Sequence, residues 1–225
     1  PDFMRSATIT EQALAKFRAI DGVKAIHPVM NVLFPISAVL SFSSILPDAS
    51  FRRGYRTDLI MSGAPQALVA EDIAVSNVAF DGKTWPIPVL LSRHILDIYN
   101  SGFASGQNLP KLSEKALIGF QFDLILGQST LLRRGGPAAS VPCRVVGFTE
   151  KSEMLGLVMP LERVQQFNRQ YVEGWTENKY SSVYVLAGSS DRVAPIAEEI
   201  EKTGYTVFAE KKLSNLIILV TFMLG

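Results

Sequence analysis

The clearest alternation of apolar and polar residues lies near the C-terminal end of the chain. Ser182–Leu186 alternates as a strand with one buried face does, and either Ser189 or Ser190 is placed to cap a helix after it. That helix repeats its apolar residues at a spacing of three or four: Val193, Ile196, Ala197 and Ile200. Gly204 ends the helix, and Tyr205–Ala209 predicts another strand. This order predicts a strand–helix–strand unit, which usually closes right-handed with parallel strands.

The stretch Val141–Tyr171 has the order strand, turn, short strand, helix. Val141–Phe148 is β-branched and apolar, which is typical of a buried strand. Leu157–Met159 predicts a second extended piece, which stops at Pro160. A helix follows, with these residues at helical spacing: Leu161, Val164, Gln165 and Phe167.

The N-terminal residues predict a capped helix followed by a strand. Thr8 and Glu11 have the spacing of a capping box, in which a hydroxyl and an acid satisfy free backbone N–H groups. The helix reaches Ile20 and ends at Gly22, and Val23–Ile26 predicts the strand. One face of the helix is apolar: Ala13, Leu14, Phe17 and Ile20.

Short strands dominate the middle of the chain. The pattern predicts them at Leu59–Met61, Val75–Phe80, Val89–Leu91 and Phe122–Leu126. A helix capped by Ser92 extends through Tyr99. Glycine, proline and small polar residues predict loops at Leu46–Gly54, Gly102–Lys111 and Leu131–Ser140.

These elements predict an α+β fold with two subdomains. The terminal parts, residues 8–47 and 141–212, form a ferredoxin-like α/β layer with two helices. Residues 48–140 form an inserted, mostly-β subdomain. Loop-forming residues at Leu46–Gly54 mark its first border.

The run Leu216–Gly225 has no charge and no amphipathic period. It is therefore either a C-terminal core helix or strand, or the first part of a transmembrane helix over residues 213–225. Lys211 and Lys212 directly precede residues 213–225, and basic residues commonly flank membrane segments. The transmembrane interpretation is favoured for that reason.

Composition narrows the class of protein. Apolar residues make up 48% of the 225-residue chain and charged residues 19%, which permits a sizeable core and argues against disorder. The net charge is +1 and no long basic run exists, so no nucleic-acid partner is expected. Cys143 is the only cysteine and is interpreted as a small buried hydrophobe.

Residues that could carry chemistry are few and separated. His27 and His94 lie in no metal-ligand spacing. Ser129 follows Gly127 as in a nucleophile elbow, but the final glycine of that motif is missing. The remaining candidates are scattered carboxylates and aromatic residues interpreted as core or ordinary surface groups: Asp123, Glu150, Glu153, Trp85, Trp175 and Tyr171. We therefore expect no catalytic, cofactor-binding or metal-binding residues, no cofactor and no enzymatic activity.

One set of short motifs carries a family resemblance. Val145-Val146-Gly147-Phe148, Gly156 and Met159-Pro160-Leu161 resemble the "VVGV…G…IPL" segment of the extracytoplasmic (periplasmic) core domain of MacB/FtsX-like ABC transporter permeases. Ile60–Pro65 is similar to a turn of the same domain. The order of elements matches that family over about residues 8–224.

The resemblance implies a mechanical function for a porter-like subdomain and its insert. A cytoplasmic ABC ATPase would hydrolyse ATP, the membrane helices would rock, and this domain would move on the periplasmic side of the inner membrane. The implied partners are that ATPase, a second permease subunit in a homo- or heterodimer, the membrane and a periplasmic adaptor. The implied outputs are export or efflux and lipoprotein release.

Three alternatives stay open at this point. The chain could be a membrane-anchored binding or sensor module. It could be an FtsX-like regulator of cell-wall hydrolases. It could also be a hydrolase that uses Ser129 or an acidic residue, an alternative that the scattered candidates disfavour.

Overall fold

The computed structural model describes residues 9–40, 55–106, 111–130, 139–152, 156–212 and 215–221. Its strands are β1 (Ile9–Thr10), β2 (Val23–Asn31), β3 (Ile36–Leu40), β4 (Tyr55–Asp58), β5 (Ile60–Ala64), β6 (Ile87–Ser92), β7 (Gln121–Leu126), β8 (Ala139–Thr149), β9 (Gly156–Pro160), β10 (Lys179–Tyr180), β11 (Ser182–Ala187), β12 (Thr206–Lys212) and β13 (Asn215–Thr221). Its α-helices are α1 (Glu11–Arg18), α2 (Gln66–Val69), α3 (Arg93–Ile98), α4 (Ala104–Gly106), α5 (Glu114–Leu117), α6 (Leu161–Tyr171) and α7 (Val193–Glu201). Extensive sheet with few helices confirms the α+β fold class.

The chain divides into two compact units. The terminal unit comprises Pro1–Asn31 and Gly174–Gly225, and the middle unit comprises Val32–Glu173. These borders differ from those that the sequence suggested. Residues 141–171 belong to the middle unit because β8 and β9 pair with other strands of that unit.

The sheet of the terminal unit has the order β12-β13-β11-β2, and each neighbouring pair is antiparallel. The strands β11 and β12, which α7 connects, therefore point in the same direction but have β13 between them. This arrangement has the strand order of a ferredoxin-like sheet in which the C-terminal strand occupies an inner position. The predicted strand–helix–strand unit is present, with its two strands separated rather than adjacent.

The strand β13 corrects the expectation of a helix over Asn215–Thr221, and the rest of the segment 213–225 lies outside the described residues. Asn215–Thr221 pairs along its whole length with β12 and over Ile217–Thr221 with β11. The physical reason is twofold: the segment is rich in β-branched residues, which favour strands, and β11 and β12 offer backbone hydrogen bonds on both sides. Among the described residues, no helix has both the length and the apolar composition needed to cross a membrane.

Helix α1 begins two residues later than the capping box suggested. The N-cap is Thr10, whose hydroxyl accepts a hydrogen bond of 3.3 Å from the N–H of Ala13. Glu11 accepts a short hydrogen bond from the hydroxyl of Tyr180 on β10.

Some predictions fall outside the described residues. They concern Thr8, Glu153, the loop at residues 46–54 and most of the loop at 131–140.

The sheet of the middle unit has the order β5-β9-β6-β8-β7-β3-β4. It is mixed, since β5 pairs parallel with β9 and β6 parallel with β8, whereas the other neighbours are antiparallel. Two predictions in this unit were wrong. Val75–Phe80 is irregular rather than a strand, and part of the predicted loop after Gly102 is helical, because a π-helical turn (Tyr99–Phe103) continues α3 into α4.

Gly147 on β8 is the point where two backbones meet. Segment 70–74 crosses β8 there: Ile73 forms an isolated bridge with Gly147, and the N–H of Ala74 donates to the carbonyl of Val146 at 2.8 Å. A Cβ atom on Gly147 would overlap the carbonyl oxygen of Asp72. The glycine of the Val-Val-Gly-Phe motif is therefore required by close packing rather than by a positive φ angle.

A polar cluster fixes the same crossing. The Asp72 carboxylate accepts hydrogen bonds from the Thr149 hydroxyl at 2.8 Å and from Lys151 Nζ at 3.1 Å. Lys151 Nζ also donates to the carbonyl of Leu68 at 2.8 Å. Because Thr149 is fully buried and the two charged side chains are largely buried, losing one partner would leave a costly unpaired group.

A second motif glycine lets α6 pack on the sheet. A Cβ atom on Gly63 of β5 would lie 2.7 Å from a methyl carbon of Val164 and 3.0 Å from the Cα atom of Leu161. Both of these α6 residues are buried. The Asn168 side chain, also fully buried, accepts a hydrogen bond of 3.0 Å from the N–H of Leu33. Helix α6 is thus held at both ends.

Replacing Gly147 with alanine should destabilise the middle unit by about 3 kcal/mol, because backbone on both sides of the crossing would have to move. The measurement is the midpoint of urea unfolding, followed by circular dichroism. Gly102→Ala is the matched control, since nothing lies within 4 Å of a Cβ atom at Gly102. That change should alter stability by less than about 1 kcal/mol. Equal midpoints for the two variants would contradict the assignment of Gly147 as a packing glycine.

Candidate interaction surface

The loop between Phe80 and β6 is anchored at both ends. Phe80 is buried, and its N–H donates to the Gln66 side chain at 3.2 Å. Gly82 lies against α6, where a Cβ atom would come within 2.7 Å of the Cβ atom of Glu162. Ile87, the first residue of β6, is fully buried. The loop therefore has little freedom to move away from α6.

Asp81 orders the loop from within. Its Oδ1 atom accepts three hydrogen bonds: from the N–H of Lys83 at 2.9 Å, the N–H of Thr84 at 2.7 Å and the Thr84 hydroxyl at 2.8 Å. The Lys83 backbone bond, followed by the two Thr84 bonds, lowers the pKa of the Asp81 carboxyl below 3.8. This is the self-contained turn that aspartate commonly forms.

The loop displays Trp85 to solvent. Its side chain is 55% exposed, and the guanidinium carbon of Arg163 lies 5.5 Å from the ring centroid. That distance falls within the range of a cation–π contact. We call Trp85, Arg163 and Lys83 the Trp85 surface. Tryptophan and arginine are the residue types that most often dominate binding energy at protein interfaces.

Helix α6 positions Arg163 with only part of its hydrogen-bonding capacity used. Arg163 Nη1 donates to Gln166 one turn along the helix at 3.0 Å. The Nε atom is buried and makes no hydrogen bond within the described part of the chain. Val164, the next residue, is fixed on Gly63, so the backbone that carries Arg163 is held firmly.

The residues considered for catalysis are engaged elsewhere. The Ser129 hydroxyl donates a short hydrogen bond to Asp58, whose other oxygen accepts from the N–H of Thr130 at 2.6 Å. His27 lies on β2 of the terminal unit and the exposed His94 on α3 of the middle unit. Within the described ranges, no group of three or more His, Cys, Asp or Glu residues could hold a metal ion.

Cys143 and the scattered carboxylates take structural or surface positions. Cys143 is fully buried on β8, and this burial raises the pKa of its thiol well above the ordinary value. Glu150 forms an exposed ion pair of 3.5 Å with Arg93, which also pairs with Glu114 at 3.0 Å. Asp123 is exposed on β7.

The three aromatic residues interpreted as core or ordinary surface groups differ in setting. Tyr171 stacks on Phe34 with ring centroids 4.7 Å apart, and Trp175 is half-buried. Trp85 forms the cation–π pair with Arg163. Sequence reasoning missed this pair because the two residues are far apart along the chain. The Asp81-Gly82 turn signal was the one local hint that the loop is ordered.

The terminal unit contains a separate cleft of about 440 Å³ beside the end of α1 and the start of α7. Arg192 and Asp21 form an ion pair of 2.8 Å in its wall. Lys16 and Glu199 add one further charge of each sign. Because the positive and negative charges balance, they favour neither an anionic nor a cationic ligand in this cleft.

Comparison with known proteins identifies the family. The family model "PCD-like: Probable transporter periplasmic core domain" matches residues 3–210. The chain belongs to this family. No curated protein matches the chain. Among solved structures, the chain is similar to the extracellular domain of the noncanonic ABC-type transporter YknZ from Gram-positive bacteria, at 14% identity and a TM-score of 0.45. That match covers 87% of this chain and 82% of the other.

Membership of the periplasmic core domain family confirms the resemblance found in the sequence. The match covers both the Ile60–Pro65 turn and the Val-Val-Gly-Phe motif. In this periplasmic core domain, the glycines of these two segments, Gly63 and Gly147, are the two close-packing positions described above. The glycines of the two motifs therefore allow the close packing of the middle unit. That packing holds α6, which carries Arg163 of the Trp85 surface.

The turn at Asp81 should respond to acid. Because hydrogen bonds hold the folded-state pKa below 3.8, the stabilisation they give is complete above the unfolded value and is lost as the pH falls through the lower folded-state value. We expect the amide resonances of Lys83 and Thr84 to titrate with a midpoint below 3.8.

Asp81→Ala should abolish that titration, whereas Asp97→Asn, a change at an exposed acid on α3, should leave it intact. Two-dimensional NMR spectra across a pH series provide the measurement. A midpoint at or above 3.8 would show that the turn does not bind the ionised carboxylate.

Proposed function

We propose that the chain is the extracytoplasmic domain of an ABC transporter permease subunit and that it acts without catalysis. The family match over residues 3–210 carries this proposal, because it spans elements of both compact units. In this proposal the domain lies on the periplasmic side of the inner membrane. A cytoplasmic ATPase drives the permease, a homo- or heterodimer, and the domain transmits the resulting motion to a periplasmic adaptor or substrate.

Several observations support a mechanical rather than a chemical function. The Ser129 hydroxyl is bound to Asp58, whereas His27 lies on β2 and His94 lies on α3. The middle unit is tied together at Gly147 by backbone and ionic contacts, which suits a body that moves as one piece. Export or efflux, lipoprotein release and regulation of cell-wall hydrolases are all outputs that such a movement could serve.

Site-directed labelling of the full-length permease tests both location and movement. Cys143 should not react, since it is buried and its thiol pKa is raised. Single cysteines at Ala194 and Ala116, which are exposed in the terminal and middle units, can therefore report separately. In spheroplasts, both should react with a membrane-impermeant maleimide.

With the cognate ATPase present, ATP should change the labelling rate of at least one of the two cysteines by about twofold or more, and a hydrolysis-deficient ATPase should remove that change. Labelling only after the inner membrane is permeabilised would contradict the proposed location. Labelling rates that are the same with and without ATP would favour a sensor module over a transporter domain.

A further inference from the structure

The sequence contains two Asp-Gly pairs, Asp21-Gly22 and Asp81-Gly82. An aspartate followed by glycine closes readily to a succinimide, because glycine has no side chain to hinder the attack of its nitrogen on the preceding carboxyl group. The two pairs therefore have a similar reactivity as far as the local sequence decides it. The fold places them in different settings, Asp21-Gly22 in the terminal unit and Asp81-Gly82 in the middle unit.

Succinimide formation needs no reactant other than the chain and water. The glycine nitrogen bonds to the Cγ atom of the aspartate, and the carboxyl –OH leaves with the N–H hydrogen as water. A water molecule then opens the ring at either carbonyl carbon, which restores aspartate or yields isoaspartate, whose backbone passes through Cβ and Cγ. Because the nitrogen and Cγ must first come into contact in the right orientation, the rate depends on how freely the carboxyl group can turn.

The Asp81 carboxyl group is held in place. Turning it towards the Gly82 nitrogen would break the three hydrogen bonds that its Oδ1 atom accepts from the Lys83 N–H, the Thr84 N–H and the Thr84 hydroxyl. The Lys83 backbone bond, followed by the Thr84 bonds, also lowers the pKa of this carboxyl, and the ionised form is the poorer electrophile. Gly82 itself lies against the Cβ atom of Glu162 on α6.

The Asp21 carboxyl group has far more freedom. Within the described residues its partner is Arg192, whose Nη2 atom lies 2.8 Å from Asp21 Oδ2. The Asp21 side chain is 83% exposed and that of Arg192 is 44% exposed, so water solvates both charges and the ion pair is weak. A Cβ atom at Gly22 would meet the flexible Arg192 side chain, 2.9 Å from its Cγ atom. Turning the Asp21 carboxyl towards the Gly22 nitrogen therefore breaks one weak contact.

We propose that Asp21-Gly22 is a site of spontaneous isoaspartate formation in the folded protein, and that the hydrogen-bonded turn at Asp81 blocks the same reaction at Asp81-Gly82. Each isomerisation inserts a methylene group into the backbone between α1 and β2 and moves the carboxylate relative to Arg192. The terminal unit thus has a chemically labile turn, whereas the corresponding dipeptide of the middle unit is protected. This chemistry does not depend on the proposed function.

Incubation of the full chain in H₂¹⁸O at neutral pH tests the proposal, because each ring opening places one ¹⁸O atom in the product. Trypsin in ordinary water then separates the two sites into residues 19–24 and 57–83, and fragmentation in a mass spectrometer locates the label. In the folded chain, Asp21 should take up label at least about tenfold faster than Asp81, where hydrogen bonds to a charged group must break first. In urea, the two rates should agree within about threefold, because the local sequence then sets them.

Variants test the cause assigned to each site. Thr84→Val removes the hydroxyl donor but keeps the side-chain shape, and should raise labelling of Asp81 by about threefold or more while leaving Asp21 unchanged. Thr176→Val, at an exposed threonine of the terminal unit, is the matched control and should change neither rate. Arg192→Gln should change the Asp21 rate by less than about fivefold, because the exposed ion pair is weak. Circular dichroism confirms that each variant is folded.

Equal labelling of the two sites in the folded chain, or faster labelling of Asp81, would overturn the proposal. Labelling of Asp21 that occurs in urea but not in the folded chain would also overturn it. If Thr84→Val left the Asp81 rate unchanged, the protective role of the turn would be wrong. Since this measurement needs neither ATP nor a membrane, its failure is distinguishable from a failure of the maleimide experiment.

Discussion

The close backbone contact at Gly147 is the constraint on which the middle unit depends. Segment 70–74 can cross β8 only where the strand has no side chain, and the crossing brings Asp72 to Thr149 and Lys151. The chain then continues through Phe80 to the loop that displays Trp85. The glycine of the Val-Val-Gly-Phe motif thus fixes the start of a segment that ends at the exposed Trp85.

Local patterns were sufficient where neighbours along the chain decide the structure. The alternation in Ser182–Ala187 and in Gln121–Leu126 reflects one buried and one exposed face, and both strands form as expected. Distant contacts decided the rest. The residue pattern of Val75–Phe80 predicts a strand, but the segment is irregular because the residues just before it are held against Gly147. Asn215–Thr221 forms a strand because β11 and β12 pair with it on both sides. The hydrophobic pattern of the segment itself does not predict these distant partners.

The candidate surface was the least predictable part for the same reason. The turn in this surface is formed by residues that are neighbours along the chain, and the Asp81-Gly82 pair predicts it. The pairing of Trp85 with Arg163 depends on Gly82 lying against α6 and on Gly63 admitting Val164. Both are packing events between segments far apart in sequence. The sequence therefore showed the residue types without showing which of them meet.

The position of β13 determines how the terminal unit would bear force. Its backbone hydrogen bonds run to β12 on one side and to β11 on the other. A pull applied at Thr221 along the strand axis would load the bonds on both sides in shear, so that many must break together rather than one after another. An outer strand peeled from the edge of a sheet resists far less. The central position of β13 would therefore spread such a load over hydrogen bonds on both of its sides.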